Sequence, residues 1–447
     1  MSAKTKRFSS AMLFLPLLFA ACAPRARADA VVLLEEPYSY DGAFAGTGHT
    51  AVYLSRVCAA SPVTLRRCDP GEHGVVISRY TRIGGRDWIA IPLVPYLYAV
   101  EKPADVPLYA DPKLVAFLRD QYRRANLEDV APDAPGGETP KGDWVQLIGS
   151  SYDRTNYGFQ IETTEKQDDA LIEWLNSRPN RPTYQFVSNN CADFVRDVLN
   201  FYYPKSMPRG SLPDLWVSTP KHGARALVRY SHRHPNLEFT HFVIPQVPGT
   251  IRRSKPVRGV VESLVRAKKY AVAFALFHPF VAAGVEAVYL VGDRFNPAKN
   301  SLVLNVDGEL QAAPTKEEAR KYSKNLAVME QETAGSTSSR DITSWHMFEE
   351  KAQPVLDAHG QTALASTSGE DIVTLGITRT DISNGDAPME LKRGLMLARM
   401  RQAVAHNRSP RTSANELQED WQLLEKIDGS LQQDAPQKSV QALLPTP

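Results

Sequence analysis

Four cysteines in 447 residues are few enough to be weighed one at a time. Cys191 follows Asn189-Asn190 and opens the amphipathic run CADFVRDVLNFYY. Asn is favoured just ahead of a helix, so Cys191 is expected at the first helical position. Free N–H groups and aligned peptide dipoles there favour an anion. A thiolate is an anion, and the placement predicts a lowered thiol pKa and an activated sulfur. Acyl transfer needs in addition a base within hydrogen-bond reach. His49 is the best-placed imidazole: it follows the bend Gly46-Thr47-Gly48 and opens the strand-like run HTAVYLSRV. A ring at the start of a strand can project over the N-terminus of a helix packed beside the sheet edge. The backbone N–H of Cys191 would then donate to a developing oxyanion. The plain alternative is a buried, inert cysteine, common for this residue type, beside an incidental histidine.

The first residues have the order of an export signal. Lys4, Lys6 and Arg7 precede the apolar run Ala11 to Ala21, and Ala26-Arg27-Ala28 puts small residues where a signal peptidase reads. Residues 1–28 are therefore expected to be removed, leaving Asp29 first. The second reading is a lipid anchor on Cys22, after Phe19-Ala20-Ala21 but without the usual Leu. Both readings predict a periplasmic or secreted protein. Cys58 and Cys68, which bracket a short loop between strand-like runs, are then natural disulfide partners. Cys191 is left over, and an unpaired cysteine in an exported chain flags a working thiol.

Gly48-His49-Thr50-Ala51-Val52-Tyr53-Leu54, with the much later Asn189-Asn190-Cys191-Ala192-Asp193-Phe194, resembles circularly permuted NlpC/P60, papain-like domains. In that group the strand bearing His precedes the helix bearing Cys. Relatives include lecithin:retinol acyltransferase-like enzymes and exported bacterial domains. The resemblance covers roughly residues 40–230. It implies an α+β fold with an antiparallel sheet and a Cys-bearing helix. It also implies a thiol hydrolase or acyltransferase, without cofactor, cleaving an amide or ester in a cell-wall peptide or an N-acyl or lipid substrate. A third, polar residue on the strand after the His strand is implied as well. Antiparallel pairing points to Ser78 or Tyr80, whereas His73 begins that strand at the opposite end. The group usually has His, Asn or Gln at that place. With Ser78 here, the orienting role stays open to a backbone carbonyl, a water or another loop.

The elements that must position these residues follow from period and punctuation. Residues 29–47 read as an extended lead-in. Strands are expected at 49–57, 74–80 and 88–93, a helix at 113–126, a Pro/Gly loop at 131–142 and strand-like sequence at 143–163. Thr164 with Gln167 is a capping box for a helix to about Asn176. Tyr184-Gln185-Phe186-Val187 is strand-like, and Thr219-Pro220 starts another helix. The expected organisation is a hydrolase domain over 29–245, a mainly helical region over 246–433 and a disordered tail over 434–447. Within the second part, strand-like runs lie at 301–306 and 371–377. Helical patterns lie at 316–331, 343–357, 387–405 and 414–427.

Several function classes drop out. Lys and Arg number 52 against 50 Asp and Glu, so the whole surface cannot be that of a nucleic-acid binder. Gly46-Thr47-Gly48-His49-Thr50-Ala51 matches a dinucleotide fingerprint in letters only, because strand sequence follows it where a helix is required. His222, His232, His234 and His241 cluster in sequence, but no second ligand pair accompanies them, and no metal is expected. Between 221 and 269 stand eleven Lys and Arg against Glu238 and Glu262. That excess suggests contact with an anionic membrane or polymer surface, and it supports a rival reading: a non-catalytic envelope-binding protein. The apolar run 270–291 has the length of a membrane span, but His278-Pro279 and Glu286 are costly in lipid. A buried hairpin broken at Pro279, or a membrane-surface element, fits better.

Overall fold

The run DAVVLLE shows no polar–apolar alternation, and its place in the fold explains why. In a computed structural model of the chain it lies in β1 (Ala28–Glu35), paired antiparallel on one side with β2 (His49–Leu54) and on the other with β7 (Asn156–Thr163). Val31 and Leu33 enter one core, while Ala30, Val32 and Leu34 enter a second core on the opposite face. A strand covered on both faces reads as continuously apolar. The expected lead-in is thus the centre of the sheet.

The structure describes residues 28–304 except 38–44, 82, 108–109, 182, 211–213, 248, 250, 267–275 and 293–294, together with scattered residues between 310 and 375. The expected leader, Cys22, the helices at 387–405 and 414–427 and the tail at 434–447 lie outside the described residues.

Between β2 and β7 run β3 (Val57–Ser61), β4 (Thr64–Arg67), β5 (Val75–Arg79), β6 (Trp88–Pro92), α1 (Leu93–Tyr98), α2 (Pro112–Asn126) and α3 (Ser150–Asp153). After β7 come α4 (Glu165–Asn176), α5 (Cys191–Tyr202), α6 (Pro220–Ser231), β8 (Thr240–Ile244), α7 (Val260–Arg266), α8 (Pro279–Gly292), β9 (Leu302–Leu304) and β10 (Leu310–Gln311). The sheet order is β10-β9-β8-β7-β1-β2-β5-β6. Neighbours are antiparallel except β8 and β9, which are parallel. The sheet is therefore mixed rather than wholly antiparallel, because the long connection from β8 through α7 and α8 re-enters in the same direction. Side chains of α1, α2 and α3, among them Tyr96, Leu118 and Tyr152, cover one face. Leu171, Val195, Val198, Leu199 and Leu227, from α4, α5 and α6, cover the other.

Residue 245, expected to end the first domain, is followed by segments that join the same body. β9 extends the sheet, Lys221 on α6 forms a buried 2.8 Å ion pair with Glu262 on α7, and Ser254 donates to Glu36 at 2.6 Å. A separate three-stranded antiparallel sheet contains β11 (Gln353–Leu356), β12 (Thr362–Ser368) and β13 (Asp371–Leu375). Residues 353–356 are thus strand where helical spacing predicted helix, because backbone pairing with β12 overrides a short local pattern.

The capping box at Thr164 forms as expected, as do α2, α5 and α6. The run HTAVYLSRV does not remain one strand: it turns at Ser55-Arg56 and enters the β3–β4 hairpin. Cys58 on β3 and Cys68 just past β4 are disulfide-bonded, with Cα atoms 4.8 Å apart. In place of the strand expected over Tyr184 to Val187, residues 186–188 form a turn between bridged Gln185 and Asn189, closed by Asn189 N–H donating to Gln185 O at 2.9 Å. Residues 143–147 and α3 are helical turns, and the strand expected from 143 begins only at Asn156.

Candidate active site

Cys191 is the first residue of α5. Asn190 Oδ1 accepts from Asp193 N–H at 3.0 Å, and the Asp193 carboxylate accepts from Asn190 N–H at 3.2 Å. This reciprocal cap satisfies two donors that the helix end leaves open. The other end of the Asn190 amide donates to Phe186 O at 2.8 Å and Ser218 O at 3.0 Å. The buried Asn190 thereby ties the loop before the cysteine to the loop before α6.

That first loop is held to the sheet as well. Arg79 on β5 grips Asp87 with two bonds of 2.9 and 2.8 Å and donates to Asn189 Oδ1. Asp87 accepts from the Thr183 hydroxyl at 2.6 Å, and Asn189 Nδ2 donates to Thr183 O at 2.8 Å. The Arg79 guanidinium also lies over the Phe194 ring at 5.3 Å. Arg79, Asp87 and Thr183 gave no signal in the sequence, since the contacts that hold this loop join segments about a hundred residues apart.

His49 opens β2 opposite Glu35 of β1. Gly48 before it has φ of +71°, and a Cβ there would stand 2.1 Å from Glu35 O. Only glycine lets the chain enter β2 this close to β1. His49 Nε2 lies 2.9 Å from Ser78 Oγ, and that hydroxyl donates to Thr50 O at 2.7 Å. A serine has one hydrogen to give. Ser78 spends it on Thr50, so its oxygen accepts from His49, which must carry its proton on Nε2. The lone pair of the neutral ring then sits on Nδ1. Ser78 is fully buried, whereas His49 and Cys191 keep partial access to solvent. Of the two residues the pairing pointed to, Ser78 bonds the ring and Tyr80 stacks on it, centroids 5.1 Å apart.

The Cys191 sulfur meets the backbone N–H groups of Thr50, Ala192 and Cys191 itself. Thr50 is the neighbour of His49, so the sulfur and the start of β2 share one place. The local donors favour the thiolate, but burial outweighs them, helped by the Glu35 charge, and pushes the thiol up to about 11. The expected lowering by the helix end is overturned, because removing a charge from water costs more than a few backbone dipoles return. Burial also pushes His49 down to about 4; Glu35 opposes this and Arg154 adds to it. At rest, then, Cys191 is a neutral thiol and His49 a neutral imidazole.

A buried polar network underlies the ring. Glu35 accepts from Tyr96 Oη and pairs with Arg154 at 2.9 Å. Tyr80 hydrogen-bonds Tyr96, and burial raises both phenols far above their usual range. Sequence reading missed Glu35, Tyr96 and Arg154. The one available signal was an acid ending the apolar run Ala30 to Leu34.

The other histidines among the described residues do not converge. Tyr53 Oη donates to the His73 carbonyl, beyond the far end of β5. His222 faces Asp214 at 3.8 Å, His234 stacks on Tyr230, and His241 bonds Lys299 O at 2.9 Å. Among the described residues the one cluster with metal-ligand spacing is Cys58, Cys68 and Glu72, whose sulfurs are already joined to each other. The basic stretch 221–269 is partly internal. Besides Lys221, Arg253 donates to Gln246 O and Val247 O.

The molecule is thus an α+β protein whose mixed sheet and capped helix hold a cysteine near a histidine–serine pair. No family model matches the chain, and neither a curated protein nor a solved structure matches it.

Proposed function

We propose that the protein is a thiol hydrolase or acyltransferase of permuted papain-like design, acting on an amide or ester in the cell envelope. The observation that carries this reading is the Ser78–His49 bond, which leaves a lone pair on Nδ1 of a neutral ring beside the strand residue that touches Cys191. A neutral imidazole can accept a proton, as a general base must. In this reading Nδ1 takes the Cys191 proton as the sulfur attacks the carbonyl carbon. The negative charge passes to the carbonyl oxygen and meets backbone N–H at the start of α5. The intermediate collapses, the carbon–nitrogen or carbon–oxygen bond breaks, and His49 returns its proton to the leaving amine or alcohol. Water or an acceptor amine or hydroxyl then takes the acyl group from sulfur. Nearby, Glu35 and Arg154 cancel each other's charge, so the ring need not hold a proton before substrate arrives. The disulfide suits an oxidising compartment. Cell-wall peptides and N-acyl or lipid substrates fit this chemistry equally well.

The rival reading is a non-catalytic envelope-binding protein that keeps the fold, and the raised thiol favours it. One experiment separates the two. The protein is incubated with p-nitrophenyl butyrate, and intact mass and released nitrophenol are followed. A butyryl adduct on Cys191 is expected, absent in Cys191→Ala, with turnover lowered on the order of 10²-fold in His49→Ala. Unchanged turnover in Cys191→Ala would refute the enzymatic reading.

A further inference from the structure

We propose that α8 is an interfacial element that lays its outward face on a lipid bilayer. Leu276 and Phe277 are helical, the helix breaks at His278, and Pro279 restarts it as α8. Phe280 is 92% exposed, Phe277 79%, Leu276 75% and Val281 55%. Ala283, Gly284, Glu286 and Ala287 are exposed as well, while Ala282, Val285, Val288 and Tyr289 are partly covered. At 100° per residue the exposed positions span an arc of roughly 220°, with Glu286, their sole charge, at its margin. A surface helix of a water-soluble protein turns its polar residues outward. Here the outward arc is apolar apart from Glu286: Ala282, Val285 and Tyr289 face the protein, while Leu276, Phe277, Phe280 and Val281 face out. The buried hairpin expected from the sequence is therefore not what residues 276–289 form.

The occupant follows from the shape of this face. A groove on a partner protein covers a stripe of about 100°, less than half of the exposed arc. A second copy would need about 800 Å² from each partner. One helix of 14 residues offers a face of roughly 21 by 10 Å. A bilayer surface covers a wide arc and sets no such minimum. At about 21 Å, α8 is also too short for a hydrocarbon core of about 30 Å. No helix among the described residues is long and apolar enough to cross a membrane. A helix that cannot cross lies in the plane of the interface, its apolar side about 5–10 Å deep. Arg266, exposed at the end of α7, donates to Tyr289 Oη at 3.2 Å on the inner side of α8. Insertion of this kind is apolar and resists salt, whereas attachment through surface cations alone does not.

The test uses the chain beginning at Asp29, so neither leader nor lipid on Cys22 contributes, and vesicles of mixed phosphatidylcholine and phosphatidylglycerol. The protein is expected to sediment with the vesicles and to remain there in about 1 M salt, where screening is nearly complete. The variant Leu276→Ser/Phe277→Ser/Phe280→Ser/Val281→Ser is expected to bind at least tenfold more weakly. Phe280→Ser alone, at the most exposed position, is expected to weaken binding in the same direction, which guards against misfolding of the fourfold change. Three outcomes would overturn the proposal: failure of the parent to sediment, full release by salt, or a concentration-dependent dimer that the fourfold change abolishes.

Discussion

Iodoacetamide labelling of Cys191 across pH tests the balance of burial against helix-end donors. The thiol is raised from 9.0 to about 11, so at pH 7 about 10⁻⁴ of it is thiolate, against about 10⁻² for an ordinary cysteine. Only the thiolate reacts. Scarcity alone would slow labelling about 100-fold. A more basic thiolate is also a better nucleophile, and with a Brønsted slope of 0.4–0.5 two pKa units return about eightfold. The net expectation is labelling roughly tenfold slower than a free cysteine at pH 7. Steric access changes absolute rates, so the decisive quantity is the slope. The logarithm of the rate should climb one unit per pH unit from 6 to 10, where an ordinary thiol has already levelled off. The assay is timed quenching followed by mass mapping of the Cys191 peptide, with the disulfide left intact. A plateau reached by pH 7 would mean a thiolate–imidazolium pair at rest and would refute the reasoning, since the helix end would then have beaten burial. The same sign governs stability at high pH. The unfolded thiol loses its proton near 9 while the folded one keeps it to about 11, so stability falls as pH rises through that window.

Other expectations are structural. Gly48→Ala puts a Cβ against Glu35 O in a left-handed conformation, and urea unfolding should register a loss of about 2–4 kcal/mol. Arg154→Met leaves the Glu35 carboxylate buried without its cation and should cost about 3–5 kcal/mol, much of it recovered by adding Glu35→Gln. An equal loss in the double variant would show that the pair is not what Arg154 contributes. Reduction of Cys58–Cys68, ten residues apart in sequence, should lower the urea midpoint by an amount equivalent to about 2–3 kcal/mol. An unchanged midpoint would place that hairpin outside the cooperative core.

What could be read in advance was local. Asn190 ahead of an amphipathic run specifies a capped helix start and so puts Cys191 at its first position. Thr164 with Gln167 does the same for α4, and the spacing of Cys58 and Cys68 lets one hairpin join them. With a polar residue on the strand after His49 implied by the family resemblance, antiparallel pairing pointed to Ser78 and Tyr80. Each of these depends on a few residues close in the chain, or on the fixed period of paired strands. The tertiary structure decided the rest. β1 carries no alternation because both of its faces are covered, and the cover comes from helices as far along as α6. The protonation of Cys191 and His49 is a sum over everything that displaces water around them. Glu35 and Arg154, whose charges oppose each other at the ring, are more than a hundred residues apart. Local sequence can place a thiol on a helix end, but the cost of charging it is set by burial, which is a property of the assembled fold.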